Sequence, residues 1–265
     1  MEVDSPPQRR TGRVTYDGGL RDRLAKFAFE RGGVLGVATL VLYVWLAPDH
    51  VVDGDNAELS ALGAAGGVAH PSGYPLYVLY LRALSWLPGA SPAHTAAIAT
   101  ALIGAGSIVM LHAACRAWGA RPLAASIACA IVATGPVVLR MYTQAEVFAL
   151  NGLVVATILW LAGPDGPVRG GRRVVLLALV AGLGLANHLS CVLLAPVGVY
   201  AAVRGLREHA GAKLPVIALA IGALALGLAP YLYLLVAPAD GMSWGRIDSF
   251  AALLHHFLRE DYGGA

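Results

Sequence analysis

Tyr74-Pro75-Leu76-Tyr77-Val78-Leu79-Tyr80-Leu81-Arg82-Ala83-Leu84-Ser85-Trp86-Leu87 decides how often this chain crosses a membrane. Fourteen residues at about 1.5 Å each reach about 21 Å as a helix, short of the ~30 Å hydrocarbon core. The stretch also carries an arginine and several aromatic rings, which favour the membrane–water boundary. It therefore reads as a juxtamembrane helix lying along the bilayer. The spans are seven other apolar segments, at 33–47, 93–115, 122–139, 146–162, 173–187, 189–203 and 214–236. The expected fold is an all-α polytopic membrane protein with about seven transmembrane helices. Juxtamembrane helices fill its first outer loop.

Composition agrees. Of the 265 residues 57% are hydrophobic and 13% charged, with a mean hydropathy of +0.66. A soluble domain carries about 25% charged residues and could not hide so much apolar surface. Cys115, Cys129 and Cys191 fall inside apolar runs without metal-like or paired spacing, as small buried helix residues do. Lys26 and Lys213 are the only lysines. The arginines are dispersed between apolar segments rather than clustered on one face, which excludes a nucleic-acid surface.

Charge fixes the orientation. With residues 1–32 as a polar cytoplasmic tail, seven spans place fifteen of the nineteen Lys and Arg residues on the inner side. Only Arg82, Arg140, Arg246 and Arg259 lie outside, so every inner loop obeys the positive-inside rule. Treating 74–87 as a span would put Arg116, Arg121 and the later loops on the wrong side. The run from Gly33 to Ala47 has no small-x-small cleavage site after it and reads as an uncleaved first span. The domains follow as a tail at 1–32, a transmembrane domain at 33–239 and an outer-face segment at 240–265. The expected setting is a bacterial plasma membrane with the N-terminus cytoplasmic and the active face outward.

The same topology gathers the polar chemistry on one side. Asp53, Asp55, Glu58, His70, Tyr74, Arg140, Gln144, Glu146, Asn187, His188 and Trp244 all fall at the outer face, although none entered the charge count. Ionisable groups beside a span are costly and mark function by default. Asp55-x-x-Glu58 reads equally well as a capping box opening the helix-like run Leu59–Val68 and as two carboxylates on one helix face. His70-Pro71-Ser72-Gly73-Tyr74-Pro75 is a rigid connector whose prolines explain its stiffness but leave its histidine unexplained. Arg140 is either a snorkelling arginine paired with Glu146 or a phosphate contact. Spans 173–187 and 189–203, about 15 residues each, meet at Asn187-His188 without a loop; short helices meeting at a polar break line a cavity. No cofactor motif is present, and the sequence leaves a divalent metal possible without indicating one.

Asp55-Asn56-Ala57-Glu58-Leu59, Gly67 to Tyr77, Ala145 to Asn151 and Gly184 to Leu189 together resemble the membrane family first catalogued as domain of unknown function 2723. That family contains protein O-mannosyltransferase-like proteins and belongs to the GT-C glycosyltransferase superfamily. Ser243-Trp244-Gly245 and Asp261-Tyr262-Gly263 resemble its later outer-loop signature. The resemblance covers roughly residues 33–263 and implies a GT-C-like fold. It further implies transfer of a sugar, mannose by family, from a polyprenyl-phosphate donor to a protein or glycan acceptor at the outer face. By motif position Asp55 becomes the general base and Glu58 its support. Arg140, His188 and, more weakly, His70 become contacts to the departing phosphate. Asn56-Ala57 stands where family members commonly have Ser-Gly, and the chain ends just past Asp-Tyr-Gly, where a longer family architecture would be cut short. The competing readings are a non-catalytic GT-C-fold protein that binds lipid-linked sugar, and a transporter. The transporter is disfavoured because the charges gather at one face and no internal repeat is seen.

Overall fold

The structure, a computed structural model, describes residues 32–239 and 243–263. The tail assigned to 1–32 lies outside the described residues except for Gly32, as do 240–242 and 264–265. The described residues form helices and no strands. In order these are α1 (Gly33–Leu46), α2 (Asn56–Ala65), α3 (Pro75–Ala83), α4 (Pro92–Ala117), α5 (Pro122–Thr134), α6 (Pro136–Tyr142), α7 (Phe148–Ala162) and α8 (Gly170–Asn187). A 3-10 turn, Leu189–Leu194, runs into α9 (Ala195–Glu208). Then α10 (Lys213–Leu228) runs into a second 3-10 turn, Ala229–Leu235, and α11 (Phe250–Phe257) precedes a short 3-10 turn, Glu260–Tyr262.

Local chemistry explains many of the boundaries. Pro75, Pro92, Pro122 and Pro136 each open a helix at its first position, where a missing N–H is harmless. Ser91 caps α4 by accepting the His94 N–H at 3.0 Å, and Ser249 caps α11 through the Ala252 N–H. Pro136 also breaks the segment expected as one span at 122–139: α5 and α6 meet at Gly135 with a bend of 70°, because proline cannot continue the hydrogen-bond ladder.

The span count is lower than seven. Among the described residues, four helical stretches are long and apolar enough to cross a membrane, namely 92–117, 170–187, 189–208 and 213–235; counting the bent α5–α6 pair as one span makes five. The other two expected spans, α1 and α7, have 14 and 15 residues, reaching only about 21–23 Å. The stretches on either side of His188, expected to be short, have 18 and 20 residues and qualify on length. The break between them stands.

Close packing is built on small residues. A side chain at Gly182 would strike the backbone of Leu224 and Gly227, and one at Gly227 would strike Leu179, so α8 and α10 touch backbone to backbone as membrane helices with small interfacial residues do. α3 packs one face into the bundle. Tyr74, Tyr77 and Val78 are buried against α2 and α4. The Tyr77 hydroxyl lies 2.6 Å from Thr100 Oγ1, and the Tyr80 hydroxyl donates to Ala99 O at 2.6 Å. The i, i+3 spacing puts these tyrosines on one face, and their hydroxyls satisfy α4 rather than the headgroup layer. All three cysteines are free, with Cys129 and Cys191 buried.

Candidate functional site

Asp55 stands at the N-cap of α2, but its side chain makes no cap bond. The capping-box alternative fails at both ends, because Glu58 reaches across to the next turn instead of back. Its Oε1 accepts the His70 main-chain N–H at 2.8 Å, and its Oε2 accepts the His70 Nδ1–H at 2.6 Å. The turn that delivers His70 closes through the Gly73 N–H to His70 O at 2.7 Å. Gly73 sits at φ 91, a left-handed conformation natural to glycine.

With Nδ1 committed, His70 works through Nε2. That nitrogen lies 2.9 Å from the Tyr74 hydroxyl and 3.6 Å from Asp55 Oδ2. The Glu58 and His70 side chains are each 14% exposed, whereas Asp55 is 52% exposed. One carboxylate is spent holding the imidazole and the other is open to a ligand. The bond to Glu58 raises the His70 pKa, outweighing the effect of burial. Asn56, the departure from the family pattern, is buried and holds the Val52 N–H through Oδ1 at 3.2 Å, fixing the loop that carries Asp53 and Asp55.

The second wall is the buried turn Thr143–Val147 between α6 and α7. Glu146 approaches Gly54 so closely that a side chain there would meet its Oε1. Burial, reinforced by the charge of Asp55, pushes the Glu146 pKa up to about 7. Gln144 is buried, and its Nε2 has no hydrogen-bond partner among the described residues. Asn187 is fully buried and donates to Val147 O at 3.2 Å, steadying this turn, while its Oδ1 has no partner among the described residues.

His188 lies at the α8 break. Its Nδ1 accepts the Ser190 N–H at 3.1 Å and lies 2.7 Å from Ser190 Oγ. When the ring is neutral its proton therefore sits on Nε2. The ring stacks on Tyr74 with centroids 5.7 Å apart and contacts Phe148 at 5.4 Å. Burial, followed by the charges of Arg259 and His70, lowers its pKa.

The third wall arrives from far along the chain. The Trp244 N–H donates to Val68 O at 2.9 Å, and the Val68 N–H donates to Ser243 Oγ at 3.0 Å. The Trp244 ring lies 6.2 Å from His70 and 6.0 Å from Tyr262. Buried His256 on α11 donates from Nε2 to Ala69 O at 2.9 Å. The backbone leading into the His70 turn is thus clamped by residues 175 to 187 positions later.

Of the residues expected from sequence, Asp55, Glu58, His70, Tyr74, Glu146, His188 and Trp244 converge. Asp53 is exposed and makes no side-chain hydrogen bond or ion pair with them among the described residues. Arg140 is exposed at the end of α6 and forms no ion pair with Glu146 among the described residues, so the paired-arginine alternative fails. Sequence reading missed Phe148, Ser190, Arg259 and Tyr262. The family-like Asp261-Tyr262-Gly263 signature was the one signal pointing to that last region. Asp55, Glu58 and His70 each offer a ligand atom within 4.8 Å of the others. These oxygen and imidazole donors fit a divalent cation, although His70 Nδ1 would first have to leave Glu58.

Comparison with known proteins fits this arrangement. Residues 55–210 match the family described as the protein O-mannosyl-transferase TMEM260 N-terminal domain. The chain is 30% identical over 260 residues to the protein O-mannosyl-transferase TMEM260 of Mus musculus, covering 93% of this chain and 35% of that protein. It is 24% identical over 253 residues to the protein O-mannosyl-transferase tmem260 of Dictyostelium discoideum, covering 87% of this chain and 30% of that protein. Both relatives are eukaryotic, and the chain spans about a third of their length. No solved structure matches it. With the family model covering more than half of its residues, and with the first-loop, break and outer-loop motifs gathered around one cleft, the chain belongs to the TMEM260 N-terminal domain family of O-mannosyltransferase-like membrane proteins.

Proposed function

We propose that this chain is the catalytic membrane domain of a glycosyltransferase that moves mannose from a polyprenyl-phosphate donor to a hydroxyl of a protein or glycan acceptor. The observation that carries the reading is the unequal pair of carboxylates on α2, with Glu58 holding His70 and Asp55 left open beside the His70 Nε2 that Tyr74 orients.

In the reaction, Asp55 takes the proton of the acceptor hydroxyl as its oxygen attacks the anomeric carbon. The bond from that carbon to the phosphate oxygen breaks, and the lipid phosphate leaves with the electron pair. His70 and Tyr74 hold the geometry around Asp55, and the His188 Nε2–H faces the developing phosphate charge. A general base of this kind contributes about 10²–10⁴-fold. Below His188, an apolar cavity of about 440 Å³ runs between α7, α8, α9 and α10, lined by Leu185, Cys191, Val192 and Leu224 among others. It supports a lipid-linked donor, whose chain would lie there while its phosphate faces His188.

The test is incubation of membranes holding the full chain with radiolabelled polyprenyl-phosphate mannose and an acceptor extract. Wild type is expected to transfer label and Asp55→Asn to lose about 10²–10⁴-fold; equal transfer by both removes Asp55 as the base. Absence of transfer, with donor binding retained, favours the binding-only reading. The outward orientation is tested by membrane-impermeant thiol labelling of intact cells. Asp53→Cys is expected to label from outside and Asp165→Cys only after permeabilisation, both positions being exposed. Gln144 is too buried to report this way.

A further inference from the structure

Arg259 reaches the cleft by a route that composition could not foretell. His256 fixes α11 to the His70 turn through Ala69 O. Its ring also packs against Gly73, where a side chain would meet it at 3.3 Å. Arg259 lies two residues past the end of α11, so this anchor holds its position beside the cleft. The Arg259 N–H closes the last turn on His256 O at 3.2 Å.

Arg259 then leaves the helix at φ 58, ψ 35. Glycine and asparagine take this left-handed conformation far more readily than arginine, and such backbone collects at functional sites. The guanidinium carbon sits 5.5 Å from the Tyr262 ring centroid, and Tyr262, Trp244 and His70 follow one another at 6.0 and 6.2 Å. The side chain is half-buried and has no carboxylate partner among the described residues, although Glu260 and Asp261 are its chain neighbours and pair with His255 instead. Its charge reaches three site groups, His70, Tyr74 and His188, and opposes a positive charge on both histidines.

We propose that Arg259, with the Nε2–H of His188, binds the phosphate of the lipid-linked donor, and that Arg140 does not. This rests on the glycosyltransferase reading above. A planar guanidinium presents paired N–H groups that match phosphate oxygens. Tyr262 holds the fork from one side, as arginine stacks on aromatic faces. The cleft is thereby divided by charge: the open Asp55 carboxylate serves the acceptor, Arg259 serves the donor, and the Glu58–His70 pair separates them.

The test compares binding of polyprenyl phosphate and of uncharged polyprenol to the full chain in detergent. Wild type is expected to prefer the phosphate. Arg259→Gly removes the cation while relaxing the backbone. It is expected to melt no lower than wild type and to lose about 10–100-fold of that preference. Arg259→Lys is expected to recover part of the preference, and Arg140→Gln to leave it within about twofold. A preference intact in Arg259→Gly, or lost in Arg140→Gln, overturns the assignment. So does inorganic phosphate that competes as well as the lipid. Wild type with no phosphate preference removes the lipid-phosphate donor itself, and this inference with it. A binding loss accompanied by a lower melting temperature in both Arg259 variants assigns Arg259 a structural role and overturns the proposal.

Discussion

The two ends of the α7–α8 pair both hold a carboxylate against a cationic partner, to opposite effect. At one end fully buried Arg173 donates to both oxygens of Glu208 at 2.9 and 2.7 Å, and its Nε–H donates to Leu161 O at 3.0 Å. Arg204 adds bonds to Ala162 O and Gly163 O and lies 3.4 Å from Glu208 Oε1. Here the arginines cap the otherwise unpaired carbonyls at the end of α7 and the carboxylate faces them both, with Arg204 Nε left without a hydrogen bond among the described residues. At the other end Glu58 closes on His70, but Asp55 and His188 Nε2 keep capacity facing one cleft, and Gln144 Nε2 is buried without a partner among the described residues. Charge pairing alone therefore does not separate scaffold from site. Polar atoms that border an open cleft do, as the half-exposed Asp55 carboxylate shows.

The sharpest break between the ends is expected from Arg173→Ala. It leaves Glu208 without its main partner and should cost about 2–3 kcal/mol of stability. That lies below the usual cost of breaking a fully buried pair because the Glu208 side chain remains 32% exposed. Thermal unfolding in detergent measures it. Transfer at low temperature should stay within about twofold of wild type; lost turnover in a folded variant would end the contrast.

Glu58→Gln is the mirror experiment. Removing the carboxylate charge should slow transfer about tenfold while moving the melting temperature little. Because the bond to Glu58 holds the His70 pKa up, the limb of the pH–rate profile that belongs to His70 should move to lower pH. An unmoved limb would deny His70 a part in the reaction.

The smallest effect concerns Glu146. Its carboxyl is near 7 in the folded protein, against an ordinary value of 4.5. Between those values the native state holds a proton that the unfolded chain releases, so this group's contribution to stability falls as pH rises from about 4.5 to about 7. Glu146→Gln should remove that part of the slope, seen as a flatter melting-temperature profile across the window. An unchanged slope would deny the burial-driven shift.

The apolar segments and the polar break at His188 were legible because transfer energy is nearly additive along a chain, and counting arginines led to the expectation that acids and histidines gather on one side. Where additivity failed, a specific contact took over. Tyr74, Tyr77 and Tyr80 read as boundary anchors until α4 supplied partners for two of their hydroxyls. Asp55-x-x-Glu58 carries equal local evidence for a cap and for a site, and only the position of His70 separates them. Arg140 and Arg259 look alike as outer arginines; one ends exposed on α6, the other stands beside Tyr262 because α11 docks on Ala69.

The chain alone determined that this is a helical membrane protein with an acidic first loop and a histidine at a helix break, since hydropathy, proline positions and charge bias are properties of short windows. The tertiary structure decided which carboxylate is spent and which is free, where the broken helix bends, and which arginine faces the cleft. Those outcomes depend on distances of a few ångströms between residues as many as 187 positions apart, as from His256 to Ala69, and no local pattern encodes them.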